Sequence, residues 1–484
     1  MNKELRRVSI VVLLMFIALF SSSTIIQVFQ QDNLKADGRN SRTLYASFSA
    51  ERGPILVNGE PIAESVPVDD EYKYQRVYSN GPLYSAVTGY FTLNQGNTGV
   101  EGALNDYLSG TANQQFLDQL NSLITGQNPK GAAVELTIDP VVQQAAFDAL
   151  GDQKGAVVAI DPKTGGILAL VSKPTYDPTA LATHDGAAFR AAYDALINNG
   201  DDPLINRTIS GNLNPPGSTF KLVVTATALE NGLTPDTAFP NPGTLTLPQS
   251  NAVINNAEGG SCGGGATATI ATALRLSCNI PFAQLGLQLG YSKISQEARE
   301  FGFGDEGLKI PMSVEPSVYP PTASDAEQML SSFGQGSDRV SPLQMAMVSA
   351  TVANGGQLMK PTLIETISAP DLTVLQGFDP QVYSTPISPE NAATMNQLMV
   401  NNVANGAASN ARINGIDVAG KTGTAENGDG EPYTLWFTGF APANDPQVAV
   451  AVVVENGGGL GRSGFGNLVA APIARTVMEA VLNR

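Results

Sequence analysis

Between Val8 and Phe29 the chain runs for 22 residues, VSIVVLLMFIALFSSSTIIQVF, without a single charge. A run of that length spans about 30 Å of hydrocarbon as a helix, and a helix satisfies every backbone group internally. Lys3, Arg6 and Arg7 precede it against one acid, Glu4. That asymmetry predicts a cytoplasmic amino terminus. A cleaved signal peptide is the alternative, but its apolar region is typically only about 7–15 residues and ends in small residues. Here apolar residues resume at Ile25 and Ile26 after Ser21–Ser23. The segment therefore reads as an uncleaved anchor, with residues 1–7 cytoplasmic, 8–29 spanning and almost all the rest outside. No later segment is long and apolar enough to span.

The remainder must fold in water, and its composition allows this. Of 484 residues, 42% are apolar and 15% charged, which excludes a disordered tail and supplies a large core. Lys plus Arg number 27 against 44 Asp plus Glu, a formal net charge of −17. A chain this acidic, with no basic patch, repels a phosphate backbone, so nucleic-acid binding is not expected. One histidine, His184, leaves a Ser-His-Asp centre or a histidine-rich zinc site dependent on a single residue. Two cysteines are too few for a four-thiolate metal site.

After a polar stalk, Gln30–Thr43, a mixed region runs to about Gly151. It has short strands near Tyr45–Phe48 and Pro54–Val57, and helical stretches near Val100–Leu108 and Gln114–Ile124. AAVELTIDPVVQQAAFDALG reads as a strand, a break at Asp139-Pro140, then a helix. Next, Ala156–Ile160 and Ile167–Val171 flank a turn and form a hairpin. The boundary is placed near 151, giving domains 30–150 and 151–484. The second contains late strands at 416–424, 434–440 and 447–455 and a final helix, Leu468–Leu482. Short connections favour one antiparallel sheet built from both ends of the domain and flanked by helices, an α/β fold of the α+β type.

Within PPGSTFKLVVTATALENG, Pro215, Pro216 and Gly217 block backward extension, so Ser218 opens a helix that stops at Asn231-Gly232. Ser218 and Lys221, three apart, share a face. A serine at a helix start beside an amine is an activated-nucleophile arrangement. Taken alone, Ser218 capping the helix beside a solvated lysine explains the pattern better. Two further elements alter that balance: Ser277-Cys278-Asn279, expected at an interhelical turn, and Lys421-Thr422-Gly423-Thr424, expected on a strand. S-x-x-K, then S-D-N, then K-T-G is the signature of penicillin-binding proteins and class A β-lactamases, and here Cys278 stands where the aspartate would be. Other matches fail on order or context: Lys163-Thr164-Gly165 and Ser210-Gly211-Asn212 lie upstream of Ser218. Ser261 in G-x-S-x-G lacks a strand before it and a helix after. Gly459–Gly464 in G-x-G-x-x-G lacks a second βαβ strand.

Residues 44–480 resemble a class B penicillin-binding protein, most like the actinobacterial penicillin-binding protein A type. Arg52-Gly53-Pro54-Ile55 resembles the family's R-G-x-I element, and Gly99-Val100-Glu101 with Leu108-Ser109-Gly110 its G-x-E and L-x-G elements. GAVVAIDPKTGGILALVSKPTYDP, SSFGQGSDRVSPLQMAMVSATVANGG and WFTGFAP resemble further blocks. The resemblance implies a penicillin-binding, serine β-lactamase-like transpeptidase domain behind a small non-catalytic domain. It implies a D,D-transpeptidase that cross-links peptidoglycan stem peptides, releases D-alanine and is acylated by β-lactams. Ser218 would be the nucleophile and Lys221 the general base, neutral because Lys421 repels a second charge. Ser277 would relay a proton and Asn279 would fix Lys221. Thr422, Gly423 and Thr424 would receive the substrate, and backbone N–H groups of Ser218 and Thr424 would form the oxyanion hole. No cofactor or metal is implied. A membrane glycosyltransferase of the shape, elongation, division and sporulation family is the implied partner.

In an oxidising compartment, Cys262 and Cys278 are candidates for a disulfide that holds the Ser277 loop; two buried free thiols are the alternative. A β-lactamase is disfavoured because no E-x-x-L-N element follows Ser277. A D,D-carboxypeptidase, a non-enzymatic receptor and a vestigial division scaffold are weaker readings of the same residues. His184 reads as a surface residue, Trp436 as core or cleft wall, and Asp69-Asp70-Glu71 as a solvated loop.

Overall fold

The computed structural model describes residues 2–26, 48–93, 95–115, 130–211, 213–257 and 259–484. The stalk, residues 45–47 of the first expected strand and residues 116–124 of the expected helix lie outside these. The apolar run forms the helix Asn2–Thr24, exposed along its length. Within its segment Lys3–Thr24, an 18-residue window has a mean hydropathy of 1.9. Among the described residues it is the one helix long and apolar enough to cross a membrane.

Five strands make the central sheet, in the order Ala419–Ala425, Thr434–Ala441, Val448–Val454, Gly155–Ile160 and Ile167–Lys173. Every neighbouring pair is antiparallel, so strands from both ends of the domain meet in one sheet. VAVAVVV is buried at all seven positions. An antiparallel strand usually alternates because one face meets water. Here both faces are covered. Val157, Ala159, Val450 and Val452 join a core with Val142, Leu150 and Val477, whereas Ala156, Val158, Ala451 and Val453 join the core of Phe220, Met345 and Val348. Pro342–Ala353 covers one face, and Pro140–Leu150 with Ala470–Leu482 covers the other. Thr438 ties sheet to helix through Oγ1, which donates to Met345 O at 2.8 Å and lies 2.7 Å from Ser349 Oγ.

A second sheet has six strands: Val374–Gly377, Ile364–Ser368, Ala133–Leu136, Ile55–Val57, Glu60–Pro67 and Tyr74–Tyr78. Its first two strands come from the second half of the chain, and Ala133–Leu136 bridges the halves by pairing with both Ile55–Val57 and Ile364–Ser368. The six-stranded sheet thus draws strands from both sides of position 151. The helix Pro140–Leu150, capped by Asp139 Oδ1 on Val141 N and Val142 N, packs mainly on the central sheet and also reaches the first region, where Gln143 Nε2 donates to Leu83 O at 2.9 Å.

In the first region the R-G-x-I and G-x-E elements meet. Arg52 Nε and Arg76 Nε each reach a different oxygen of the Glu101 carboxylate at 2.6 Å, and all three side chains are buried. Gly53 N donates to Leu108 O at 2.8 Å, which adds the L-x-G element to the same knot. A Cβ at Gly53 would stand 1.9 Å from Ala132 O, so only glycine permits that approach. One surface reading needs correction. His184 is only 10% exposed in its side chain and pairs through Nδ1 with Asp70 Oδ2 at 2.6 Å. Asp69, Asp70 and Glu71 do form an exposed loop, from which Asp70 reaches across to His184. The His184 ring lies against Phe48 and Tyr72, which shelter it from water.

Candidate active site

The Ser218 segment folds as its prolines require. Gly217–Thr219 is a single 3-10 turn, and the α-helix Lys221–Glu230 follows it, ending at Asn231 with Gly232 at φ +79°. Ser218 is half-buried, while Lys221 is fully enclosed. Gly217 has φ +52° and donates its N–H to Gly334 O at 2.9 Å. Gly334 itself has φ +80°, and a Cβ on it would fall 1.9 Å from Gly217 O. The glycine of SSFGQG is thus the seat on which the Ser218 turn rests.

Ser277 sits between the helices Ile270–Leu276 and Asn279–Leu289, as its motif predicts. Its φ of 61° is a left-handed conformation that L-residues rarely adopt, the kind of local strain found at functional sites. Lys221 Nζ donates to Ser277 O and to Asn279 Oδ1, both at 2.8 Å. Lys421 Nζ donates to Ser277 Oγ at 2.7 Å and to Thr422 O at 2.9 Å. The structure thus brings Lys221, Ser277, Asn279 and Lys421 into one hydrogen-bonded cluster one turn from Ser218. Among the described residues, Lys221 Nζ makes no hydrogen bond to the Ser218 hydroxyl, a contact that commonly tightens only when substrate binds.

The strand Ala419–Ala425 is an edge strand of the central sheet. Its Thr424 backbone lies beside Gly217, where a Cβ would be 3.0 Å from Thr424 O. Ser218, Asn255, Ser277, Asn279, Thr422 and Thr424 line one cleft of about 1140 Å3. Thr422 Oγ1 donates to Ala407 O and Thr424 Oγ1 accepts from Gly466 N, each at 3.2 Å.

Burial pushes the Lys221 amine well below its usual range, and the neighbouring Lys421 lowers it further. Repulsion by Lys421 is thus the second cause, not the first. Burial alone brings Lys421 down to about 7. An amine that is neutral near physiological pH can take a hydroxyl proton, which a solvated lysine cannot.

Cys262 and Cys278 are joined in a disulfide, with Cα atoms 5.8 Å apart. It ties the Ser277 turn to the loop around Cys262. Sequence reasoning did not assign the residues that hold the site from outside its motifs. Trp436 is fully buried and donates Nε1 to Pro215 O at 2.9 Å, just before Ser218. Asn402 Nδ2 donates to Leu274 O at 3.0 Å and Arg275 O at 2.7 Å, fixing the helix end that precedes Ser277. Asn256 Oδ1 accepts from Asn279 N at 3.0 Å. Only the aromatic Trp436 beside a strand glycine carried any signal; the two asparagines are lost among polar residues. The rejected matches stay apart: Lys163 lies in the hairpin turn and pairs with Asp445 at 2.6 Å.

Residues 155–479 match the penicillin binding protein transpeptidase domain, and residues 52–134 match the penicillin binding protein A dimerisation domain. The chain belongs to the penicillin-binding protein transpeptidase family. Among its relatives, the peptidoglycan D,D-transpeptidase PbpA of Mycolicibacterium smegmatis is 41% identical over 490 aligned positions, covering 100% of this chain and 99% of that protein. The protein of the same name from Mycobacterium tuberculosis is 40% identical, again with 100% and 99% covered. The solved penicillin-binding protein A of M. tuberculosis in its ceftriaxone acyl-enzyme complex superposes with a TM-score of 0.87 at 39% identity, over 90% of this chain and 100% of that one. Its penicillin G acyl-enzyme complex gives a TM-score of 0.84 at 39% identity, with 90% and 100% covered. The penicillin-binding fold therefore spans both regions of this chain.

Proposed function

We propose that this penicillin-binding protein is a peptidoglycan D,D-transpeptidase acting through a Ser218 acyl-enzyme. The observation that carries the reading is the cluster in which Lys221 Nζ and Lys421 Nζ converge on Ser277 beside Ser218. Relatives at 40–41% identity over the full chain are named for that activity.

Neutral Lys221 takes the Ser218 hydroxyl proton as Oγ attacks the carbonyl of the penultimate D-alanine. Backbone N–H groups of Ser218 and Thr424 receive the oxyanion, where each such donor is worth about 10²–10³ in rate. The Ser277 hydroxyl, held by Lys421, passes a proton to the departing D-alanine amine. Asn279 keeps Lys221 in place. Thr422, Gly423 and Thr424 receive the donor peptide along the edge strand, with the threonine hydroxyls on its carboxylate. A side-chain amine of a second stem then takes the acyl group, closing the cross-link and freeing Ser218. A β-lactam, resembling the D-alanyl-D-alanine terminus, acylates the same oxygen.

Intact-mass spectrometry of the full chain in detergent with benzylpenicillin tests this. A lasting adduct of the drug mass on wild type, absent from Ser218→Ala, is expected. Rapid turnover to penicilloic acid without an adduct would overturn it in favour of a β-lactamase.

The apolar helix serves as a single-pass anchor with residues 1–7 in the cytoplasm and the transpeptidase domain outside. Protease protection in right-side-out vesicles would sink this orientation if residues 151–484 were shielded. The glycan strands come from a membrane glycosyltransferase of the shape, elongation, division and sporulation family, with the anchor and first domain making the contact. Replacing Met1–Gln31 by an unrelated membrane helix should weaken co-purification with it, and unchanged recovery would exclude an essential anchor contact.

A further inference from the structure

The helix Asn279–Leu289 starts without a cap from its own sequence: Cys278 occupies the N-cap position and its side chain accepts nothing. The first N–H groups of any helix lack intrahelical partners. Asn256, distant in sequence, supplies the acceptor. Its Oδ1 receives Asn279 N at 3.0 Å and Ile280 N at 3.1 Å. Asn256 is only 4% exposed, so water does not substitute for it freely. Its neighbour Asn255 accepts Asn279 Nδ2 on its backbone oxygen at 2.9 Å.

These three bonds fix the Asn279 amide. With Nδ2 committed to Asn255 O, Oδ1 is the atom left to face Lys221 Nζ, 2.8 Å away. Asn256 is itself clamped. Its Nδ2 donates to Gly260 O at 3.0 Å and Asn241 Oδ1 at 3.4 Å. Asn241 then holds Cys262 O at 2.7 Å and Gly265 O at 3.0 Å, and Cys262 is bonded to Cys278. The bracket returns to the catalytic turn by two routes, one hydrogen-bonded and one covalent.

We infer that Asn256 is the positioning residue that orients Asn279 and, through it, the Lys221 amine. The inference rests on the Ser218 acylation reading given above. It requires no contact between Asn256 and the substrate.

The experiment is the rate of benzylpenicillin adduct formation on the full chain between pH 5 and 9, for wild type, Asn256→Ala and Asn256→Asp. Asn256→Ala leaves two N–H groups unpaired and frees Asn279, so acylation should fall about 10–100-fold. Its acid limb should move to lower pH, because an ammonium that has lost an acceptor releases its proton more readily. Asn256→Asp keeps the oxygen that accepts both N–H groups but loses the Nδ2 donor to Gly260 O and Asn241 Oδ1, so its plateau rate should fall, though less than that of Asn256→Ala. Its added negative charge, one side chain removed from Lys221, should move the acid limb to higher pH. The charged group already acting on Lys221 is Lys421, which all three proteins share.

A purely structural role for Asn256 would lower the rate without moving the limb. Either variant with an unmoved limb, or Asn256→Ala acylating at the wild-type rate, overturns the inference. Should Asn256→Ala fail to fold by circular dichroism, Asn256→Asp decides alone. Absence of acylation in wild type would instead overturn the acyl-enzyme reading itself.

Discussion

Gly423 lies so close to the nucleophile turn that a Cβ on it would stand 2.8 Å from Pro216 O. The same atom would be 3.1 Å from both Thr219 Cγ2 and Trp436 Cβ. The glycine of the K-T-G element is thus a steric requirement, since it lets the edge strand Ala419–Ala425 rest against the Ser218 turn. Gly423→Ala should push the two apart by a fraction of an ångström and slow benzylpenicillin acylation about 100-fold. Overpacking should lower stability by about 1–3 kcal/mol. Adduct formation timed by mass spectrometry on a thermally checked variant tests this, and an unchanged rate would show that the strand accommodates a methyl group.

The Lys421 amine titrates at about 7 when folded, against 10.5 for an unperturbed lysine. Between those values the unfolded chain binds more protons, so stability from this group rises with pH. It is fully present above about 10.5 and lost as pH falls through about 7. Lys221, also lowered, contributes with the same sign. Lys421→Met should flatten the rise in denaturation midpoint between pH 7 and 10. A variant whose midpoint climbs as steeply as wild type would mean that Lys421 keeps its charge when folded.

The disulfide closes a loop with a sequence separation of 16. In the chain-entropy model a loop of that size is worth about 3 kcal/mol. Cys262→Ser should lower unfolding stability by that order. Without reductant, alkylation of the unfolded wild-type chain should label neither cysteine, and two labels would leave the free-thiol alternative standing.

Glu101 pairs with two buried guanidinium groups, Arg52 and Arg76, with side-chain exposures of 3% and 1%. Removing the shared partner strands both, and breaking a buried pair typically costs about 3–5 kcal/mol. Glu101→Gln should show that loss in urea denaturation. Its folded fraction should still form the benzylpenicillin adduct at the wild-type rate, because Glu101 belongs to the first region and not to the cleft. A slowed adduct in fully folded protein would reveal coupling between the two regions.

Much of this protein was legible in local pattern. An uncharged run in lipid has only the helix open to it, and strands that alternate into two cores still read as apolar runs when helices cover both faces. Ser218, Lys221 and the helix stop at Gly232 follow from proline, spacing and glycine within a few residues. The R-G-x-I and G-x-E elements were visible as patterns, but not as a shared carboxylate between Arg52 and Arg76. His184 was misread because its partner, Asp70, lies 114 positions away. The helix Pro140–Leu150, next in sequence to the first region, packs mainly on the central sheet, a choice of partner that local pattern does not carry.

The sequence by itself determined which side chains could do the chemistry and which segments would be helix or strand, because those depend on near neighbours. Tertiary structure decided their state. Lys221 meets Ser277 from 56 positions away and Lys421 meets Ser277 from 144. Whether an amine is charged depends on the water removed from it and the charges set beside it. For Lys221 both, and for Lys421 the loss of water alone, come from segments that only the completed fold brings together.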